Sequence, residues 1–219
     1  GDVLDYASAA PKADKEVVMA AVQNNGDALQ YASEEFQNDK EVVMAAVQEY
    51  GPALHSASIE LKADRVFIIA VVHQNGLALQ YASAELQNDT EVVIAAVQQK
   101  GFSLIYASPA LKADREVVMA AVQEFGLALE YASAELQNDK EVVMAAVKQR
   151  GRAIDYASEE LKNDPVLQWF MKYRDRLTEL LGKDKLNYAN VEQLYQDRAF
   201  DVLKNLNTDL RSEIGKALA

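Results

Sequence analysis

DKEVVMAAVQNNGDALQYAS, residues 14–33, returns almost word for word from Asp39, Asp64, Asp89, Asp114 and Asp139, each time 25 residues on. Gly26, Gly51, Gly76, Gly101, Gly126 and Gly151 keep that spacing, as do the serines from Ser8 to Ser158, and no insertion breaks the register. A fixed period of this length predicts a solenoid, in which each unit buries its apolar face only against its neighbours. A second period lies beneath the first. The residue before each Asp alternates Ala13, Asn38, Ala63, Asn88, Ala113, Asn138 before ending on Asn163, which marks a unit of two layers, 50 residues long.

A 25-residue period also suits leucine-rich repeats, with VVMAAV as a strand, but the composition points to helix. Asp14 stands where an N-cap belongs, Glu16 falls in the first turn where the helix dipole favours an anion, and Gly26 follows where a left-handed C-cap would close the helix. Paired alanines favour helix over strand, and the leucine-rich Asn ladder is absent. The first helix is therefore expected over about 15–25. Val17, Val18, Ala21 and Val22 share one face of it, with Met19 nearly opposite, so the helix should be sandwiched. DALQYAS (27–33) should form a short second helix, and Ser33 should cap a last helical turn, SEEFQ. The expected fold class is all-α: a right-handed, curved α-solenoid of 25-residue repeats (long helix, short helix, helical turn) over 1–165. With layers 8–10 Å apart it would be a rod on the order of 60 Å long.

The ending changes vocabulary. Asp164-Pro165 is again a helix start, but Gln168, Phe170 and Lys172 stand where the repeat has Val, Ala and Val, so no further layer should dock. Val166, Phe170, Tyr173, Leu177 and Leu180 keep a helical stripe that Gly182 should end. Asn190 and Gln193 resemble a capping box opening a helix to about 206, with a last helix near 208–218. Residues 166–219 are expected to form a helical C-terminal cap. At the other end Gly1 falls in the Gly column, so the chain opens in mid-unit, where the first layer should fray or lack upstream repeats.

The 219 residues carry a formal charge of −12, and the acidity belongs to the repeats: residues 1–164 hold 13 basic against 26 acidic side chains. Such a surface repels phosphate backbones and argues against a nucleic-acid partner. There is no cysteine, which fits a reducing compartment. No apolar run approaches the length of a membrane span, and no secretory signal is visible.

The phrase D-x-E-V-V-M-A-A-V-x-x-x-G-x-A-L-x-Y-A-S-x-E-L-x-x-D, as in 89–114 and 114–139, resembles a bacterial domain-of-unknown-function repeat family, numbered 4116. That resemblance covers residues 1 to about 165. It implies an all-helical repeat found in large proteins, including effector-like proteins that intracellular bacteria deliver into host cells, so the expected location is the cytoplasm or a host cell. It implies no activity and no site residues.

Function should therefore lie in the columns that drift between repeats. Around the glycines these become apolar in mid-array, so Tyr50, Leu77, Phe102, Phe125 and Leu127 either line a groove for a partner helix or peptide or pack between turns. The residue before each Gly falls on the apolar face of the long helix, which favours packing. The repeat at 51–75 deviates most, with Ser56 for Tyr and greasy Ile59 and Val66 at polar positions, a candidate subunit or partner contact. Its two histidines, His55 and His73, lack the carboxylates a metal site would need and are expected to be solvated. Lys148, Arg150 and Arg152 gather in sequence near Lys172, Arg174 and Arg176, an anion patch for a phosphate or acidic segment unless they pair with Asp155, Glu159 and Glu160. The repeated tyrosines (6, 31, 81, 106, 131, 156) read as a packed ladder. No phosphate loop, zinc motif or activated nucleophile is present, so neither cofactor nor metal nor catalysis is expected. The leading expectation is a non-catalytic scaffold for a protein partner. Its rivals are a spacer that positions an enzymatic domain and, more weakly, an enzyme on the C-terminal segment.

Overall fold

The computed structural model describes residues 14–196, so the last helix expected near 208–218 and the opening layer lie outside the described residues. Six ten-residue helices start 25 residues apart: α1 (Lys15–Asn24), α2 (Lys40–Glu49), α3 (Arg65–Gln74), α4 (Thr90–Gln99), α5 (Arg115–Glu124) and α6 (Lys140–Gln149). Each is followed by a six-residue 3-10 helix that begins on the column glycine, such as Gly101–Tyr106. A short helical turn such as Pro109–Lys112 completes each unit. The 17-residue α7 (Pro165–Leu181) and the nine-residue α8 (Tyr188–Gln196) close the described chain. No strand occurs among the described residues.

Every long helix from α1 to α7 starts on the expected Asp, whose carboxylate accepts backbone N–H bonds from the first turn. The helices stack side by side and the 3-10 helices stack beside them as a second layer. Val18, Val22, Leu29, Val43, Leu54, Val93, Leu104, Val118 and Leu129 fill the seam with no exposed surface. The expected sandwich holds sideways, each interior helix touching the helix before and after it, and each except α3 packing on two 3-10 helices. The Met column instead lies on the outer face: Met19, Met44, Ile69, Ile94 and Met119 are half-buried.

The glycine works differently from the expectation. The helices end on Asn25, Tyr50, Asn75, Lys100, Phe125 and Arg150, all in extended conformation with φ between −140° and −156°, and among the described residues no column glycine has positive φ. What demands glycine is approach from the next layer. A Cβ on Gly26, Gly76, Gly101 or Gly126 would fall on the carbonyl oxygen of Ala46, Ala96, Ala121 or Ala146. The left-handed glycine is Gly182, at φ 79°, which ends α7 as expected.

Three ladders run along the stack. Backbone N–H groups of Ser58, Ser83, Ser108, Ser133 and Ser158 donate to the carbonyls of Gln37, Lys62, Gln87, Lys112 and Gln137, at 2.8–2.9 Å. The first residue of one helix pairs with the capping Asp of the next: Lys15 with Asp39 and Arg65 with Asp89 at 2.8 Å, Arg115 with Asp139 at 3.2 Å, and Lys40 with Asp64. Lys40 beside Asp64 and Arg65 beside Asp89 hold those carboxyls below the ordinary range. Thr90 breaks this ladder, leaving Asp114 only its own helix N–H groups.

The third ladder explains the doubled period. Ser58, Ser108 and Ser158 hydroxyls donate to Oδ1 of Asn38, Asn88 and Asn138 at 2.5–2.6 Å. The layers between carry Ala63 and Ala113 in the Asn column and make no such bond. The column beside it alternates too. Gln37, Gln87 and Gln137 donate to carbonyls at the end of their 3-10 helix, whereas Lys62 and Lys112 reach the His55 and Ile105 carbonyls with an ammonium. The Ser caps themselves form at Ser58, Ser83, Ser108, Ser133 and Ser158, while Ser33 makes none.

Candidate functional site

The long helices separate two edges of the stack by roughly 15 Å, the length of ten helical residues. The capping aspartates line one edge and the column glycines the other. Ile59, first residue of its helical turn, and Val66, second residue of α3, belong to the Asp edge and are 80% and 76% exposed. Val66 replaces a glutamate that elsewhere joins the ion-pair ladder, as when Arg65 reaches Glu91 or Lys15 reaches Glu41. Lys40 consequently bonds Asp64 alone.

Of the apolar candidates on the Gly edge, Tyr50 is the exposed one, at 46%. Leu77, Phe102, Phe125 and Leu127 are half-buried. Phe102 meets Phe125 edge-on at 6.4 Å and Tyr131 of the next layer at 5.3 Å, so these rings tie layers together. The residue before each Gly is not on the helix's apolar face, because the chain has already turned extended there. Tyr50 points out, whereas Phe125 packs against the core and meets Phe102 edge-on. In the deviating repeat His55 packs on Tyr81 at 6.3 Å and bonds the Pro52 carbonyl at 3.1 Å. Both histidines are exposed, and no group of three metal-ligating side chains occurs among the described residues.

The same repeat loosens the stack. Phe67 replaces a column valine and Val71 the alanine whose carbonyl presses the preceding glycine, and the α2–α3 contact is the thinnest among the repeat helices. Gly51 accordingly faces the Asn75 side chain instead of a carbonyl.

Of the expected anion patch, Arg150, Arg152 and Arg174 line one surface pocket of about 470 Å³ with Gly151 and Met171. Lys148 lines a neighbouring pocket of about 460 Å³ with Arg174, Asp175 and Glu179. Arg176 and Lys172 are exposed and line neither pocket. Arg152 approaches Asp155 only to 3.9 Å, and Arg174 bonds Asp175 at 3.1 Å.

The closing segment makes contacts that the sequence patterns did not reveal. α8 begins at Tyr188 with Asn187 as its cap, its Oδ1 accepting from Asn190 N–H at 2.8 Å, so the start lies three residues before the expected Asn190. Tyr188 is buried, its hydroxyl donates to Asp164 at 2.8 Å, and Lys140 lies 4.8 Å over its ring. Burial and the Asp164 carboxylate push this phenol's pKa up. Leu186 and Met144 are both buried, and together with Met119, Ala145, Glu141 and Lys148 they line a cleft of about 240 Å³. The signal available in sequence was Leu186, Val191 and Leu194, an apolar set whose docking place no local pattern specifies.

No helix among the described residues is long and apolar enough to cross a membrane. Neither the curated proteins nor the solved structures contain a match to this chain. The sequence model of one family, Domain of unknown function (DUF4116), matches three times in tandem, at 14–62, 64–112 and 114–162. Each match spans two layers, one closing on Gln-Asn and the other on Lys-Ala or Lys-Asn, the same pairing that the Ser–Asn ladder builds. Together the matches cover more than half of the 219 residues, and the chain belongs to this family of tandem helical repeats.

Proposed function

We propose that the chain is a non-catalytic helical-repeat scaffold that binds a protein through the 51–75 layer. We place it within a larger effector-like bacterial protein, the setting that the resemblance implies, with 1–165 as the array and 166–219 as its cap. The observation that carries the partner reading is the pair Ile59 and Val66, 80% and 76% exposed. Their columns hold Glu, Ala or Pro, and Glu, in the other repeats. Two exposed β-branched side chains add nothing to folding, and their replacement of polar residues suits a contact that excludes water.

The test is a photo-crosslinking residue at Glu60, exposed and adjacent to Ile59. The expected result is a reproducible adduct in cells that disappears in Ile59→Glu/Val66→Glu, with unchanged melting. An adduct that survives the double variant would refute this surface. The unbroken backbone ladder from Ser58 to Ser158 favours a second reading, a spacer holding flanking domains apart. A spacer gives no adduct at Glu60.

A further inference from the structure

Three glycines of the column make a hydrogen bond that its last member cannot make. Gly76 N–H donates to Gln99 Oε1 at 2.7 Å, Gly126 N–H to Gln149 Oε1 at 2.8 Å, and Gly101 N–H to the Glu124 carboxylate. In each case the acceptor lies 23 residues further on. For Gly151 the side chain in that column is Arg174, and a guanidinium has donors but no acceptor. Arg174 still occupies the place: its Nη1 lies 2.7 Å from where a Cβ on Gly151 would be. Arg150 and Arg152 flank the glycine and share its pocket. The three guanidiniums are offset by two carboxylates, Asp175 on Arg174 and the more distant Asp155 on Arg152. Donors and one unit of excess positive charge thus converge where the layers of Gly76, Gly101 and Gly126 put an oxygen.

We propose that the Arg150, Arg152 and Arg174 pocket is an oxyanion site that takes a carboxylate of a protein partner. Glu124 shows the geometry within the chain, since its carboxylate receives the Gly101 N–H. One carboxylate also cancels the excess charge, and a planar carboxylate matches the guanidinium fork. The site rests on the scaffold reading for its occupant, and on the local geometry for its existence.

The test uses the full chain, labelled with nitrogen-15, and two probes: a hexaglutamate peptide and inorganic phosphate. The Gly151 amide should move downfield saturably with the peptide while Gly76, already bonded to Gln99 outside the pocket, stays put. Arg174→Gln restores the column's own acceptor, so Gly151 should lie downfield before any addition and its response to the peptide should fall at least tenfold. An unmoved Gly151, a full response in Arg174→Gln, or a response to phosphate alone would each overturn the proposal. A Gly151 response in a protein that gives no adduct at Glu60 would leave this site standing while the 51–75 surface falls.

Discussion

Gly101 and Gly151 occupy the same place in the repeat, two layers apart, yet they live under different constraints. A methyl on Gly101 would strike the Ala121 carbonyl oxygen and come within 2.8 Å of both the Glu124 carboxylate and Phe125 Cβ. On Gly151 it would meet the tips of two flexible side chains, Arg174 Nη1 at 2.7 Å and Met171 Cε at 3.2 Å. Gly51 is intermediate, facing the Asn75 side chain. The requirement for glycine is therefore imposed by the layer that follows. Where that layer is a regular repeat, a helix carbonyl leaves no room. Where it is α7, the glycine is inherited but no longer needed.

The largest expected effect breaks this comparison if it fails. Gly101→Ala should cost about 2–4 kcal/mol in urea denaturation, because helix backbone must move to admit the methyl. Gly151→Ala should range from neutral to about 1 kcal/mol stabilising, since the unfolded chain loses freedom and no strained φ is imposed. Equal costs at the two positions would show that local conformation, not the next layer, selects glycine. Next in size, Tyr188→Phe should cost about 1–2 kcal/mol, because it strips Asp164 of a buried donor at the closing end. An unchanged denaturation midpoint would mean that α8 contributes nothing to holding the stack.

Ser103→Ala goes the other way. Ser103 is fully buried, its hydroxyl has no partner, and its column is otherwise Ala28, Ala53, Ala78, Ala128 and Ala153. Removing the hydroxyl should stabilise by about 1 kcal/mol, and a loss would reveal a hydrogen bond at that oxygen. The smallest effect belongs to Thr90→Arg, which supplies the missing rung to Asp114. A gain below about 1 kcal/mol, vanishing in high salt, is expected for an exposed pair.

The repeat, its helices and its Asp and Ser caps were legible because each rests on local chemistry that leaves a mark within a few residues. The glycines were legible as a column but not in their role: positive φ and close backbone approach both select glycine, and one sequence position cannot separate them. The clue lay 20 residues on, in alanines whose smallness admits the neighbouring layer, and in Val71, which does not follow them. Among the site candidates, Val66 stood out as valine in a glutamate column, and Ile59 as a large apolar residue where other repeats have Glu, Ala or Pro. Phe102 and Phe125 could be read as groove or as packing, and the ring contacts between layers were not decidable from spacing. Arg150, Arg152 and Arg174 could be grouped by charge, but their meeting around Gly151 depends on how α7 docks. Tyr188 left no trace at all, since its partners, Asp164 and Lys140, lie 24 and 48 residues back.

The Ser–Asn bonds also limit how such an array can change its length over generations. Deleting one 25-residue unit that carries an Asn, 64–88 for example, sets Ser108 against Ala63, and the hydroxyl loses its acceptor at the new seam. Deleting 50 residues restores every partner. Copy number in these arrays should therefore drift in steps of two layers, the step that the three tandem matches take here.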